Sequence, residues 1–121
     1  MEFSAFRRPD GRAGVRNHVL VMSSVSCVNG VVEAIGRAVP EAVVIANPYG
    51  CGYGPDDFNV SLRTLSGIIN NPNVGAALVI GLGCEMLTVE TLARFVTKKP
   101  LETLVVQDSG GSAKTIEKGI H

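Results

Sequence analysis

The sequence predicts an α/β fold with a mainly parallel sheet of about four strands and helices on both faces. Three observations carry this. Four short runs rich in valine and isoleucine, "HVLVMSSV" (18–25), "AVVIAN" (42–47), "AALVIGL" (76–82) and "TLVVQ" (103–107), have the unbroken apolar character of strands covered on both sides. Helical patterns fill the gaps, with connections short enough for βαβ units. Pro40, Pro72 and Pro100 each fall between a helix and the strand that follows it.

Taken in order, the segment 1–17 reads as a turn-rich N-terminal arm and 18–121 as one α/β domain. After the first strand, "VVEAIGRAV" (31–39) carries a polar stripe at Glu33 and Arg37. The second helix begins at Pro55-Asp56-Asp57 and places Leu62, Leu65, Ile68 and Ile69 on one face. The third, "VETLARFV" (89–96), takes Thr88 as its N-cap, and Lys98 and Lys99 suit its C-terminus. A fourth begins near Ser112. The alternation amounts to a Rossmann-like three-layer sandwich.

Of the 121 residues, 45% are hydrophobic and 18% charged, which argues against disorder. Eleven basic residues balance eleven acidic ones, so no nucleic-acid or anionic membrane partner is expected. No apolar run reaches the ~18 residues of a membrane span, and "MEFSAFRRPDGR" lacks the apolar core of a secretory signal. The expected location is the cytoplasm.

The three cysteines follow three successive strands: Cys27 the first, Cys51 the second, Cys84 the third. In a parallel sheet those ends share one edge, and ligands of open α/β sheets bind at that edge. Glycines flank the latter two thiols, in "NPYGCGYG" (47–54) and "GLGCE" (81–85). Two readings stand side by side. The cysteines are independent packing residues, or they are ligands of one thiophilic metal or iron–sulfur cluster with an open coordination position. Glu85 and Asp108 fall at the same edge, as helix caps or as acid/base groups. "GLGCE" continues to Met86 where a dinucleotide fingerprint has glycine, so no nucleotide is expected. Arg7, Arg8, Arg12 and Arg16 crowd the arm, either as a solvated turn or as carboxylate grips. Because the arm enters the first strand from its amino end, these arginines are expected opposite the cysteine edge.

Together "DGRAGVRN", "SVSCVN", "NPYGCG", "NPNVGAALVIGLGCE" and "QDSGG" resemble the second domain of the galactarate dehydratase/altronate dehydratase family, which also includes the sulfolactate sulfo-lyase large subunit. The resemblance runs nearly the whole chain, with "DGRxGxRN" and "PNVxxxLVxGLGCE" its specific parts. It implies a lyase that eliminates water, or sulfite, from a hydroxy acid with the help of iron (Fe2+ or an iron–sulfur cluster) or another divalent metal. By position it makes Cys27, Cys51 and Cys84 the metal candidates, and Arg12, Arg16 and Asn17 candidates for substrate or interface contacts. Gln107, Gly110 and Gly111 match its "QxxGG" segment as substrate-binding candidates; Glu85 is the catalytic candidate from its position at the ligand edge. It also implies that the chain is a fragment of a longer enzyme. The expected partners are a small hydroxy-acid substrate, the remaining domains or subunit, and further copies in a homo-oligomer. A noncatalytic assembly domain of such an enzyme is the alternative.

Overall fold

The computed structural model describes residues 4–49, 52, 54–96 and 99–121. Its elements run β1 (Phe6–Arg7), β2 (Ala13–Gly14), β3 (His18–Ser23), α1 (Asn29–Ala38), β4 (Val43–Ile45), α2 (Pro55–Ile69), β5 (Val74–Gly81), α3 (Val89–Ala93), β6 (Leu101–Val105), α4 (Val106–Ser109) and α5 (Ser112–Ile120). The four longer apolar runs form one parallel sheet in the order β4-β3-β5-β6.

The period of two along each strand decides what packs where. Leu20 and Met22 of β3, with Ala77 and Val79 of β5, face a core completed by Leu65 and Ile69 of α2 and Val89 and Leu92 of α3. Val21 and Ile80 face the opposite side, where Val31, Val32 and Ile35 of α1 close a second core, with Ile116 of α5 against it. The sheet is therefore covered on both faces, as a Rossmann-like sandwich requires. None of the helices is long and apolar enough to cross a membrane, among the described residues.

Helix signals legible in the sequence behave as expected. Pro55 occupies the first turn of α2 with Asp56 and Asp57, and the Thr88 hydroxyl accepts the Thr91 N–H at 3.2 Å to cap α3. Several boundaries differ: β3 ends at Ser23 rather than at residue 25, β4 covers Val43–Ile45 rather than 42–47, and β5 covers Val74–Gly81 rather than 76–82. Helix α3 ends at Ala93, and β6 occupies Leu101–Val105 because its register is set by pairing with Ala77–Gly81. Val106 and Gln107, expected in the strand, open the short helix α4 instead, which places Val106 in the second core.

The N-terminal arm is more ordered than a turn-rich segment. Phe6–Arg7 pairs antiparallel with Ala13–Gly14, and this hairpin lies on the loop between α2 and β5. Gly14 makes the close approach possible: a Cβ there would overlap the Pro72 carbonyl. Gly14→Ala is therefore expected to push the hairpin off this loop and lower stability by about 1–3 kcal/mol. A denaturant midpoint that falls at unchanged slope, with faster amide exchange confined to the hairpin, is the measurement that checks it.

Candidate functional site

The strand order reverses between β3 and β5, since the chain passes from β3 outward to β4 and then crosses to β5. This is the switch point at which open α/β sheets bind ligands. β3 ends at the buried Ser23, and beyond it lie the buried Ser24 and a single 3-10 turn, Ser26–Val28, that carries Cys27. Beyond β5 the chain runs through Leu82, Gly83, Cys84 and Glu85 toward α3. Cys27 and Cys84 are both free and exposed. Each lies four residues beyond a member of the registered pair Ser23 and Ile80. Cys51, expected beside them, lies outside the described residues.

Buried polar side chains join the strand ends. The Asn47 N–H donates to Ser23 Oγ at 2.8 Å, and its Nδ2 donates to the Ser24 carbonyl at 3.0 Å. Its Oδ1 accepts the Tyr49 N–H at 3.2 Å. Ser23 Oγ donates to Asn29 Oδ1 at 2.5 Å, and Asn29 Nδ2 donates to the Asn47 carbonyl at 3.0 Å. The Ser26 N–H reaches the Tyr49 carbonyl at 2.8 Å, so the turn bearing Cys27 is tied to the loop after β4. Across to β5, the Ser24 N–H donates to the Ile80 carbonyl at 3.0 Å. Glu85, 6% exposed, accepts the Ser24 hydroxyl on Oε1 at 3.1 Å and the Gly83 N–H on Oε2 at 2.6 Å.

Between the ends of β5 and β6 opens a polar cleft of about 170 Å³, with Gly83, Glu85, Thr88, Gln107 and Asp108 in its lining. The Gln107 N–H donates to the Leu82 carbonyl at 3.0 Å, which continues the pairing of β5 with β6 past the strands. Asp108 is exposed. Gly110 ends α4 in the left-handed conformation and Gly111 precedes α5, so this pair turns the chain between two helices.

Arg12, Arg16 and Asn17 stand at the other edge of the sheet, as their entry from the amino end of β3 requires. An eight-residue strand, the length of β5, separates the two edges by about 26 Å. There α2 ends without a basic residue in its own last turn, and distant cations serve its last carbonyls and those of the loop that follows. Arg8 donates to the Pro72 carbonyl at 2.6 Å, and to Asn17 Oδ1 and the Arg16 carbonyl at 3.0 and 2.8 Å. Arg12 pairs with Asp10 at 2.8 Å and donates to the Asn70 carbonyl. Lys99, expected to serve α3, instead donates to the carbonyls of Ile69 and Asn71 at 2.6 and 2.8 Å. Burial, then repulsion from Arg8 and Arg12 against the pull of Asp10, holds the Lys99 pKa below its ordinary value. The Val15 and Arg16 N–H groups share Asn73 Oδ1, at 2.9 and 3.2 Å.

Ser23, Ser24, Asn29 and Asn47 were not among the residues singled out from the sequence. The signals are "MSSV", two hydroxyls at the end of a buried strand, and the motifs "SVSCVN" and "NPYGCG", which contain Ser24, Asn29 and Asn47. Asn47 is the most connected of the four. Asn47→Ala would strip the donor from the Ser24 carbonyl and is expected to cost about 1–3 kcal/mol. Asn47→Asp, which sets a carboxylate against that carbonyl, is expected to cost at least as much in the same chemical denaturation measurement.

The sequence matches the profile described as D-galactarate dehydratase/Altronate hydrolase, second domain, over residues 5–121. It is 31% identical to the altronate dehydratase of Bacillus subtilis (strain 168), over 98% of this chain and 26% of that protein. With the (2R)-sulfolactate sulfo-lyase subunit beta of Chromohalobacter salexigens it shares 34% identity, over 89% of this chain and 28% of the relative. With the galactarate dehydratase (L-threo-forming) of Escherichia coli (strain K12) it shares 35%, over 74% of this chain and 20% of the relative. The chain thus spans 26% and 28% of the length of the first two. No solved structure matches it. A profile match from residue 5 to 121, on a fold that gathers the motifs at two sheet edges, shows that the chain belongs to the galactarate dehydratase/altronate hydrolase second-domain family.

Proposed function

We propose that this chain is a domain of a metal-dependent hydro-lyase that dehydrates a sugar acid, such as altronate or galactarate, by β-elimination. The observation that carries the reading is the pair of free, exposed thiols at the switch point of a chain in this family. Their chemistry suits iron, as Fe2+ or in a cluster, or another divalent metal. Among the described residues no three His, Cys, Asp or Glu side chains are grouped to hold an ion. This reading takes Cys51, which lies outside the described residues, as the third ligand beside Cys27 and Cys84. The metal, when bound, supplies Lewis-acid polarisation of a substrate oxygen.

The remaining work falls to the chain. In a dehydration a proton leaves the carbon α to the carboxylate and hydroxide leaves the β carbon, which together make one water. The enol that remains tautomerises to a keto acid. Three carboxylates line this cleft: Glu85 has both oxygens engaged, whereas Glu90 and Asp108 are exposed. This reading gives the proton exchange to Asp108 or Glu90, with Gln107 orienting the substrate in the same cleft. Gly110 and Gly111 serve by turning the chain behind Gln107. Arg12, Arg16 and Asn17, at the far edge, take the interface role, facing the rest of the enzyme or a second copy. The cytoplasm, which keeps thiols reduced, is the proposed location.

A second reading has one specific observation behind it, the 34% identity to a sulfo-lyase subunit over 89% of the chain. The same elimination would then expel sulfite from sulfolactate. Anaerobically purified protein is expected to carry iron or another divalent metal by elemental analysis. Cys27→Ser, Cys51→Ser and Cys84→Ser are each expected to weaken retention at least about tenfold. Keto-acid release from altronate or galactarate, against sulfite release from sulfolactate, separates the two reactions. A chain that holds no metal and is indifferent to all three substitutions would overturn the metal reading. A metal-loaded chain inert toward every substrate points to the assembly role.

A further inference from the structure

We infer that Glu85 is a positioning residue: it fixes the turn that carries Cys84 against the turn that carries Cys27. The inference deepens the metal-centre reading and rests on it for its functional readout.

The carboxylate is buried, adjacent in sequence to Cys84, and engaged at both oxygens. Through Oε2 it accepts the Gly83 N–H at 2.6 Å, which closes a brace across the residue that bears the thiol. Through Oε1 it accepts the hydroxyl of Ser24 at 3.1 Å, which crosses from the β5 end to the β3 end. Ser24 lies three residues before Cys27. Its own backbone is held on both sides, the N–H by the Ile80 carbonyl and the carbonyl by Asn47 Nδ2. One side chain therefore links the two thiol-bearing turns to a rigid frame. The strand leaves space for it: a Cβ on Gly81 would overlap Glu85 Oε1 and crowd Ser24 Oγ and the Val89 side chain. Glu85 borders the cleft, but both its oxygens are committed to the loop and to Ser24. Groups that orient metal ligands from behind are worth 10–100-fold in metal affinity.

Glutamine and alanine at this position separate geometry from charge. Glu85→Gln can repeat both bonds, its carbonyl oxygen accepting the Gly83 N–H and its amide donating to Ser24 Oγ. Glu85→Ala can make neither. The probe is Co2+, titrated anaerobically into the whole chain and followed by thiolate-to-cobalt charge-transfer absorbance. Exchange of the Gly83 amide proton is measured in parallel by NMR without metal. Glu85→Gln is expected to bind within about twofold of the parent and Glu85→Ala about 10–100-fold more weakly. Gly83 should lose protection in the alanine variant alone, with the β3 and β5 amides unchanged.

Parental cobalt affinity and Gly83 protection in Glu85→Ala would overturn the inference. So would equal loss in both variants, which would assign the effect to the negative charge. Should Glu85→Ala not fold, Ser24→Ala removes only the cross-strand bond. Weakened cobalt binding there supports the positioning role, and unchanged binding overturns it. A parent chain with no cobalt–thiolate band defeats the metal reading separately, and Gly83 exchange then decides the role of Glu85 alone.

Discussion

The parallel pairing of β3 with β5 is the constraint on which the rest of this structure depends. From Leu20 onward β3 is buried on both faces, with the part of β5 it pairs with, so the backbone groups there have no recourse to water. Within the strands the ladder satisfies them. At the carboxyl end the chains diverge, one into α1 and the other toward α3, and the ladder stops. Ser23, Ser24, Asn29, Asn47 and Glu85 take over there, each bonded to the backbone or side chain of a different strand end. An edge that must be polar for the sake of the sheet is thereby made rigid. The two exposed thiols, Cys27 and Cys84, stand on that edge.

At the opposite edge the same accounting problem is solved with cations. Helix α2 ends in carbonyls with no basic residue of its own nearby, and the solution comes from far along the chain on either side. A bare charge near a helix end is worth about 0.3–1 kcal/mol, and a hydrogen bond to a charged group about 1.5–3 kcal/mol. The directed bonds from Arg8, Arg12 and Lys99 therefore matter more than the positive charge as such. In "DGRxGxRN", Arg12 holds Asp10 and the end of α2, Gly14 permits contact with Pro72, and Asn17 receives Arg8. The motif fastens the hairpin at the sheet edge opposite the thiols.

Elements with a strong local period were legible. The helix at Pro55, the Thr88 cap and the four apolar strands each declare themselves within a few residues. The hairpin did not, because strands of two residues have no period and exist here only by resting on Asn70–Asn73. Lys99 was readable as a helix-end cation but not as the one that serves α2, since sequence distance says nothing about which carbonyls it meets. Val106 was indistinguishable from a strand residue; the demands of the second core turned it into a helix. Glu85 was legible as a carboxylate at the ligand edge. That both its oxygens face inward follows from Ser24, sixty-one positions away.

What residue order settled alone was the alternation of strand and helix, and with it the collection of Cys27 and Cys84 at one edge and the arginines at the other. Periodicity and chain direction suffice for this, because parallel strands must end on the same side. Tertiary packing decided which polar groups are occupied. Hydrogen bonds across the switch point join residues remote in the chain, so the difference between an available carboxylate, Asp108, and a committed one, Glu85, exists only once the strands have met.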